Sequence, residues 1–401
     1  MVEKEIQIEE YRMKHKLKIQ KFLRENSLVA AVEKWNLKVS EEGNLVQLND
    51  NMIDSPRGVS ECDECRGLIL DRSNDWAVVA YPFRRFYNIG ETQAVIPDLK
   101  TSVLWEKMDG TLINLFFWDG EWRVSTRGMP FANGPVGDYD QSYSDLFLET
   151  SDKYPKIQRM REDWTDKNFI FELIGPKNRV VTPYKEADIR LLTVRDLSTL
   201  GECDWSTLCD WSQMLGVPLP RIYSFSDLDD LEALMELNEI GELDEGFVLV
   251  DTENADNGSW RRVKIKNPSY FAVAKLVGNG PFSGRRALEL VMQGEDTVVE
   301  FLAYFPEYSE RILGIQVALN KLIKRAEDDI EKLVVGDPED REQRKSMALA
   351  IQREALVPSI VFRVMGGRSA TVKESIFGTM PRKLMEILDE VGMIESEGED
   401  S

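Results

Sequence analysis

The most constraining feature of this sequence is a change from strand-like to helix-like patterning near residue 280. Between residues 45 and 266, short hydrophobic runs alternate with polar turns, which is the pattern expected of β-strands. Asp119-Gly120 separates two such runs, and Asp-Gly in this setting is the strongest short-range signal of a β-hairpin. Beyond Gly280, apolar residues recur at helical spacing from Ile312 to Leu333. The patterns therefore predict a strand-rich region followed by an all-helical C-terminal module.

Individual elements follow from the same local patterns. We expect strands at 45–48, 68–70, 76–81, 103–107, 111–118, 122–128, 169–175, 189–196, 246–250 and 260–266. Polar turns are expected at 49–51 and 61–65, and a polar loop at 251–259. Helical patterns occupy 5–32, 205–215, 226–240 and 339–356, and the segment 134–166 becomes amphipathic and helical after a polar start. The acidic tail, 395–401, is expected to be disordered.

Charge and composition limit the class of protein. Fifty Lys and Arg residues against 71 Asp and Glu residues give a net charge of −21, which opposes general nucleic-acid binding. A local basic channel can nevertheless coexist with that net charge. No apolar run is long enough to predict a membrane span, and the N-terminus lacks the apolar core of a signal peptide. We therefore expect a globular, cytoplasmic protein.

Histidine and cysteine chemistry is disfavoured. His15 is the only histidine, which argues against Ser-His and Cys-His triads. Cys62 and Cys65 have Cys-x-x-Cys spacing, but Cys203 and Cys209 supply no matching pair for a zinc site, and free thiols are expected. No Gly-x4-Gly-Lys-Ser/Thr stretch of a P-loop enzyme is present. Any catalysis must therefore rely on lysine, carboxylates and a metal ion.

Lys107 is the candidate nucleophile. It ends a predicted strand just before the Asp109-Gly110 turn, where its side chain can reach into a cleft. Because a free lysine has a pKa of about 10.4, the amine needs nearby cations or an apolar wall to lose its proton. The alternative is a solvated lysine before a hairpin, since short motifs often match by accident. For Asp109, a role in shaping the turn and a role in catalysis are both open.

Charged residues in other predicted strands extend the candidate set. Glu172 interrupts a hydrophobic strand, and a buried carboxylate is costly unless it is paired or hydrogen-bonded. Glu245 lies at the mouth of an apolar strand. Lys264 and Lys266 alternate with apolar residues, so their ammonium groups share one face and need an anion between them.

Each candidate has an ordinary explanation when it is taken alone. Glu172 could pair with Arg179, the two lysines could protect an exposed strand edge, and Arg66 could close a surface salt bridge. Together, however, the residues form an ordered series in which each member adjoins a predicted strand. The series is Arg66-Gly67, Lys107-x-Asp109-Gly110, Arg127-Gly128, Glu172, Glu245-Gly246 and Lys264-x-Lys266.

The ordered series resembles the covalent nucleotidyltransferases, the superfamily of polynucleotide ligases and messenger-RNA capping enzymes. Within it, the sequence is most similar to the RNA ligase 1 family of phage-type, ATP-dependent RNA-repair ligases. The motifs that carry this similarity are Glu64-Cys65-Arg66-Gly67, Phe83-Arg84-Arg85-Phe86-Tyr87-Asn88, Phe171-Glu172 with Pro176-x-Asn178-Arg179, and Lys264-Ile265-Lys266 with Tyr270. Arg85 and Arg127 depart from the family, which typically has lysine at the first position and often at the second.

The resemblance implies a fold and a domain organisation. The expected fold class is α+β, with a nucleotidyltransferase domain of antiparallel sheets flanked by helices. This adenylyltransferase domain would occupy residues 61–280, with residues 1–60 as a helical and strand extension. An all-helical C-terminal domain would occupy residues 281–401.

The resemblance also implies three chemical steps that use ATP and Mg²⁺ (or Mn²⁺). Lys107 attacks the α-phosphate of ATP to give lysyl-AMP, AMP passes to an RNA 5′-phosphate, and an RNA 3′-hydroxyl then displaces AMP. Lys264 and Lys266 would hold the phosphate and lower the pKa of Lys107 by repulsion. Glu245 would position the metal, and Glu172 would bind the ribose hydroxyls. The implied catalytic residues are Lys107, Lys264, Lys266 and Glu245, and the implied cofactor-binding residues are Arg66, Arg85, Lys107, Arg127, Glu172, Glu245, Val248, Lys264, Lys266 and Tyr270.

The expected partner is RNA with 5′-phosphate and 3′-hydroxyl ends, including nicked transfer RNA, and no membrane. The helical C-terminal domain could grip the folded RNA or only support the catalytic domain. We expect a monomer. The alternatives are a DNA ligase or a GTP-using capping enzyme, which the helical C-terminus disfavours, and a non-catalytic RNA-end binding protein.

Overall fold

The computed structural model describes residues 17–137, 139–160, 162–225, 243–256, 258–277, 282–337 and 339–394. The chain divides into two compact units, residues 1–274 and 275–401. In the described residues, the first unit contains three four-stranded antiparallel sheets, and the second contains helices. This is the predicted α+β fold class. The helix expected at 226–240 and the tail at 395–401 lie outside the described residues.

The first sheet has the order β1-β2-β3-β4, formed by Leu37–Glu42, Leu45–Asp50, Arg66–Asp71 and Ala77–Ala80. Helices α1 (Lys18–Glu25) and α2 (Leu28–Trp35) share a hydrophobic core with it. Residues 5–16 of the helix predicted at 5–32 lie outside the described residues. In its described part, the single helix is wrong, because Ser27 starts a second helix by accepting a hydrogen bond from Ala30 N–H. Two further predictions need correction. Residues 61–65 lie largely in a short helix, α3 (Ser60–Glu64), and the turn predicted at 49–51 begins with the last residues of β2.

The second sheet has the order β11-β10-β6-β7. Its strands are β6 (Thr111–Trp118), β7 (Glu121–Thr126), β10 (Lys167–Ile174) and β11 (Asp188–Asp196). The predicted hairpin is confirmed, and Asp119 and Gly120 both have positive φ angles, 51° and 81°. Between β7 and β10, the helix predicted in the segment 134–166 is present but short. The chain forms the small strands β8 (Pro135–Val136) and β9 (Tyr139–Ser142), helix α4 (Tyr143–Ser151) and a 3-10 turn, Glu162–Trp164.

The third sheet has the order β12-β5-β13-β14. Its strands are β5 (Ser102–Glu106), β12 (Ile222–Tyr223), β13 (Gly246–Asp256) and β14 (Ser259–Lys266), and helix α5 (Trp205–Leu215) precedes β12. The loop predicted at 251–259 is wrong, because β13 continues to Asp256 through an irregularity between Asp251 and Ala255. Helix α6 (Pro268–Val277) follows β14.

The second unit is helical in its described residues, as the spacing of its apolar residues predicts. Its longest helix, α9 (Ser309–Leu333), buries Ile312, Leu319 and Leu322 on one face. No helix among the described residues is long and apolar enough to cross a membrane. The remaining helices are α7 (Gly284–Gln293), α8 (Glu295–Tyr304), α10 (Arg341–Glu354), α11 (Pro358–Met365), α12 (Val372–Phe377) and α13 (Pro381–Glu390).

Candidate active site

Neighbouring strand ends bring Lys107, Glu245 and Lys266 together. Strand β13 pairs with both β5 and β14, and Gly246 at its start lies opposite Lys266. The backbone N–H of Lys107 donates to the carbonyl of Gly246 at 2.8 Å, which continues this pairing beyond the end of β5. Sheet register therefore assembles three side chains that are distant in sequence.

Glu245 forms ion pairs with two lysines. Its Oε2 atom lies 2.5 Å from Lys107 Nζ, and its Oε1 atom lies 3.1 Å from Lys266 Nζ. Glu245 is 7% exposed, so this carboxylate is a nearly buried negative charge between two cations. Burial opposes its charged form, but Lys107 and Lys266 outweigh that effect and keep the pKa of Glu245 below its ordinary value. The sequence predicts an anion between Lys264 and Lys266. In this structure, Glu245 is that anion for Lys266.

The expectation that Lys264 and Lys266 lower the pKa of Lys107 is wrong in this structure. Burial favours the neutral amine, but the carboxylates of Glu245 and Glu172 outweigh it and raise the pKa of Lys107. The nucleophile candidate is therefore held as an ammonium ion until its contact with Glu245 changes.

Lys264 is the lysine whose charge the site disfavours. Burial, followed by the positive charges of Arg66 and Lys107, lowers the pKa of Lys264 well below its ordinary value. The Nζ atom of Lys264 lies 4.6 Å from the centre of the Phe86 ring. In the β13–β14 register, Val248 lies opposite Lys264. An anion bound here would stabilise the charged form of Lys264.

Glu172 lies in β10 of the second sheet, and its carboxyl group interacts with the charges of Lys107, Glu245 and Asp109. Burial, reinforced by Glu245 and Asp109 and opposed by Lys107, raises the pKa of Glu172 to about 8. Its carboxylate accepts a hydrogen bond from the backbone of Gly110 in the turn after Lys107. At neutral pH this side chain is therefore largely a neutral acid that contacts the loop of the candidate nucleophile.

Asp109 anchors that loop. Its Oδ2 atom accepts hydrogen bonds from the backbone N–H groups of Val181 and Thr182, both at 2.8 Å. Its Oδ1 atom accepts one from the Tyr270 hydroxyl at 2.7 Å, which ties the loop to α6. These contacts give Asp109 a positioning role, and they place Tyr270 behind the loop of Lys107.

Three arginines converge on the buried carboxylate of Asp50 at the end of β2. Arg85 lies 3.0 Å from it, and Arg66 and Arg127 each lie 3.7 Å away. The Asn49 side chain donates to the carbonyl of Arg127 at 2.7 Å and fixes that segment. Three guanidinium groups around one carboxylate leave an excess of positive charge, which suits a phosphate group.

The site residues fit a metal ion only in part. Among the described residues, no group of three or more His, Cys, Asp or Glu side chains could hold a metal. Both oxygens of Glu245, the predicted metal residue, already contact lysines. Mg²⁺ is commonly held by one or two carboxylates together with substrate phosphates and water, so this site suits a metal that arrives with a nucleotide.

Comparison with known families agrees with the geometry. Residues 64–270, just over half of the chain, match the family model described as RNA ligase. The chain belongs to the RNA ligase family. The matched region extends from Glu64, just before Arg66, to Tyr270 and so spans the Lys107, Glu245 and Lys266 cluster.

Relatives of this RNA ligase family member include viral and phage proteins. The "Putative bifunctional polynucleotide kinase/RNA ligase" of Autographa californica nuclear polyhedrosis virus is 27% identical over 72% of this chain and 42% of its own length. The "RNA ligase" of Rhodothermus phage RM378 is 32% identical over 33% of this chain and 37% of its own length. The chain thus spans less than half of either relative. A solved "Archaeal ATP-dependent RNA ligase" is 15% identical, with a TM-score of 0.45 over 81% of this chain and 86% of that one.

Asp50 is the residue of this RNA ligase family site that sequence reasoning missed. The segment Asn49-Asp50-Asn51 has the composition of a turn, in which a charged residue is ordinarily exposed to solvent. The available signal was an acidic residue at the end of an apolar run, followed later in the chain by arginines next to other strands. That signal becomes specific only when the strands are paired.

Proposed function

We propose that this RNA ligase family member is an ATP-dependent RNA ligase that joins RNA 5′-phosphate and 3′-hydroxyl ends. The observation that carries the proposal is the contact of Lys107 with Glu245, which also pairs with Lys266. A lysine nucleophile, a carboxylate that orients it and phosphate-binding cations suit nucleotidyl transfer to a lysine.

In the first step, the neutral amine of Lys107 attacks the α-phosphorus of ATP. A nitrogen–phosphorus bond forms, and the bond to the pyrophosphate oxygen breaks. Before the attack, Glu245 Oε2 holds the Lys107 ammonium group at 2.5 Å and stabilises its charge. Because this contact also lowers the pKa of Glu245, the carboxylate orients the amine and does not take its proton. Activation therefore requires the contact to open, so that the cations nearby favour the neutral amine and the proton passes to water.

The surrounding side chains have complementary roles in the proposal. Lys264 and Lys266 bind the α-phosphate, and Arg66, Arg85 and Arg127 bind phosphate or ribose oxygens. Glu172 in its neutral form can donate a hydrogen bond to a ribose hydroxyl as well as accept one. Val248 provides an apolar contact, and Tyr270 acts through Asp109. A bound Mg²⁺ or Mn²⁺, positioned by Glu245, would supply charge neutralisation at the phosphates.

The second and third steps move AMP to RNA and then release it. An oxygen of the RNA 5′-phosphate attacks the phosphorus of lysyl-AMP, and the lysine leaves as an amine that regains its proton. A 3′-hydroxyl oxygen then attacks the activated 5′-phosphorus, which forms the phosphodiester bond and displaces AMP, while the hydroxyl proton passes to water. Nicked transfer RNA is the substrate class that the family resemblance favours.

The test is a joining assay with a 5′-phosphorylated single-stranded RNA, ATP and magnesium. We expect circular or joined RNA from the wild-type protein and none from Lys264→Ala or Lys266→Ala. Parallel reactions with DNA ends and with GTP distinguish a DNA ligase or a capping enzyme. Tight binding of RNA ends without any joined product in folded protein would instead support a non-catalytic RNA-end binding protein.

A further inference from the structure

A second basic surface lies beside the candidate active site. It is a groove of about 140 Å³ between the segment before Asn88 and the start of β14. We call it the arginine groove, and its main lining residues are Arg84, Arg85, Phe86, Trp260, Arg261 and Arg262. The groove is too small to enclose a nucleotide, but it can receive a phosphate of a strand that crosses the surface.

The arginine groove contains more positive charge than its carboxylates neutralise. Arg85 pairs with Asp50 at 3.0 Å, and Arg262 pairs with the buried Glu202 at 2.5 Å. Arg84 and Arg261 form no ion pair within 4.0 Å of a carboxylate in the part of the chain that the structure describes. Arg84 makes a long contact, 3.5 Å, with the Ser60 hydroxyl, and its charge acts at longer range on Asp63 and Glu64.

The one carboxylate that lines the groove among the described residues is Asp63. It accepts a 2.5 Å hydrogen bond from the Tyr87 hydroxyl. Burial, only partly offset by that bond, raises the pKa of Asp63 and weakens its negative charge. In a chain with a net charge of −21, this concentration of arginines requires an explanation other than solubility.

The groove adjoins the candidate active site. The backbone of Lys264 donates to the carbonyl of Tyr87 at 2.9 Å, so the two walls of the groove are joined at the lysine pair. Arg262, Lys264 and Lys266 occupy every second position of β14 and so share one face of the strand. At about 3.3 Å per residue, Arg262 and Lys266 are about 13 Å apart along the strand. A strand bound in the groove can therefore extend to Lys107.

We infer that the arginine groove binds backbone phosphates of a single-stranded RNA whose end is presented to Lys107. This inference rests on the proposed function and adds a substrate-binding site to it. Guanidinium groups bind phosphate oxygens through paired hydrogen bonds, and the partly exposed Phe86 ring can stack on a base. Val95 at the rim is 60% exposed, which adds an apolar surface for a base.

The test is a titration of a fluorescent, 5′-phosphorylated, single-stranded RNA against Arg84→Ala/Arg261→Ala, followed by anisotropy at several salt concentrations. The matched control is Arg72→Ala/Arg159→Ala, which removes two exposed arginines elsewhere in the same unit and causes the same change in net charge. We expect the groove variant to bind about tenfold more weakly or worse, because two charge-assisted contacts are lost. The slope of log affinity against log salt should fall by about 1.4, and the control should match the wild type.

Two results would overturn the inference. One is a groove variant that binds RNA as tightly and with the same salt slope as the wild type, and the other is an equal loss in the control. Arg261→Glu, a charge reversal at an exposed position, gives the answer if the double variant does not fold. The titration needs no turnover, so it decides the groove even if the wild-type chain proves inactive and the proposed function fails.

Turnover separates the two RNA ends that share this phosphate chemistry. The groove does not touch the Lys107–Glu245 pair, so labelling of Lys107 by ATP should stay within about twofold of wild type. A loss of RNA-adenylate formation places the 5′-phosphate strand in the groove. A loss confined to the joining of pre-adenylylated RNA places the 3′-hydroxyl strand there. These rates are compared at RNA concentrations below saturation, where weaker binding lowers them. If both steps then run at wild-type rates, the groove does not present RNA to Lys107, and the inference fails.

Discussion

The carboxylate of Asp50 is surrounded by Arg66, Arg85 and Arg127 and has no access to solvent. A buried charge with several partners is destabilising to remove, because the remaining charges then repel one another in a low-dielectric environment. Its partners come from three later segments, which explains why a sequence without paired strands could not reveal this cluster. Glu172, Lys264 and Lys266 could be named as candidates because a charge within an apolar strand is conspicuous in the sequence itself.

We expect Asp50→Asn to lower the free energy of unfolding by about 3 kcal/mol, since three guanidinium groups lose their counter-charge. Inorganic phosphate should restore part of the loss by binding among the arginines. Chemical denaturation with and without phosphate measures both effects. Asp75→Asn is the matched control, because Asp75 is exposed and pairs with a single arginine. Equal, small losses in both variants, or no response to phosphate, would contradict this description of the cluster.

Glu172 should make the stability of the protein depend on pH. Its pKa is about 8 in the folded chain and about 4.3 in an unfolded one, so between these values the folded state holds a proton that the unfolded state releases. Stability therefore falls as pH rises through this range. We expect Glu172→Gln to be similar to the wild type near the lower pKa and progressively more stable than it up to about pH 8.

The measurement is the unfolding free energy of the wild type and of Glu172→Gln across this pH range. Lys107, Glu245 and Asp109 also act on Glu172, so the size of the difference reports the whole cluster. A difference that is constant with pH, or that shrinks as pH rises, would show that Glu172 is already ionised at low pH.

At the scale of secondary-structure elements, close backbone packing at Gly246 positions the lysine pair. Gly246 has a φ angle of 123°, and a Cβ atom there would lie 2.2 Å from the carbonyl oxygen of Ile265. Gly294 has nearly the same φ angle, 124°, but a Cβ atom there would meet nothing within 4 Å. Alanine at Gly294 therefore introduces only the unfavourable φ angle, whereas alanine at Gly246 adds a steric clash with the Ile265 carbonyl.

We expect Gly246→Ala to displace the end of β14 and reduce labelling of Lys107 by about 100-fold, because sub-ångström placement matters for nucleotidyl transfer. Gly294→Ala carries the same conformational strain, about 1–3 kcal/mol, and should label normally. Labelling and thermal unfolding of both variants provide the comparison. Normal labelling in Gly246→Ala would mean that β14 can shift without loss of the site.

Local signals predicted some elements and missed others for identifiable reasons. The Asp119-Gly120 hairpin depends on two positive φ angles that these residues adopt easily, so it could be predicted without the rest of the chain. The second half of β13 is polar and resembles a loop, and it is a strand because β14 pairs with it. In the described residues of the segment 134–166, the α-helical part is α4, and small strands and turns lie on either side of it.

At the scale of the whole molecule, the candidate site belongs to one unit. Every predicted site residue, from Arg66 to Tyr270, lies within residues 1–274, and the helical unit begins at residue 275. The change of pattern near residue 280 indicates strand-rich and helical parts because strand and helix periodicities differ. The role of the helical unit could not be predicted in the same way, since amphipathic spacing reports a core and not a ligand.

We expect a chain that ends after Val277, which keeps α6 complete, to retain labelling of Lys107 by ATP. The reason is that Asp109, Glu245 and Lys266 make their contacts within the first unit. Circular dichroism verifies folding, and denaturing electrophoresis measures the label. A folded but unlabelled truncated chain would show that the helical unit completes the site.

The most direct test of the central claim is incubation with ATP labelled at its α-phosphate and magnesium, followed by denaturing electrophoresis. The chains to compare are the wild type, Lys107→Ala and Lys107→Arg, the last of which keeps a positive charge beside Glu245 without a nucleophilic amine. We expect label that survives denaturation on the wild type and on neither variant. Undiminished label on Lys107→Ala, or no label on folded wild-type protein, would contradict covalent nucleotidyl transfer through Lys107.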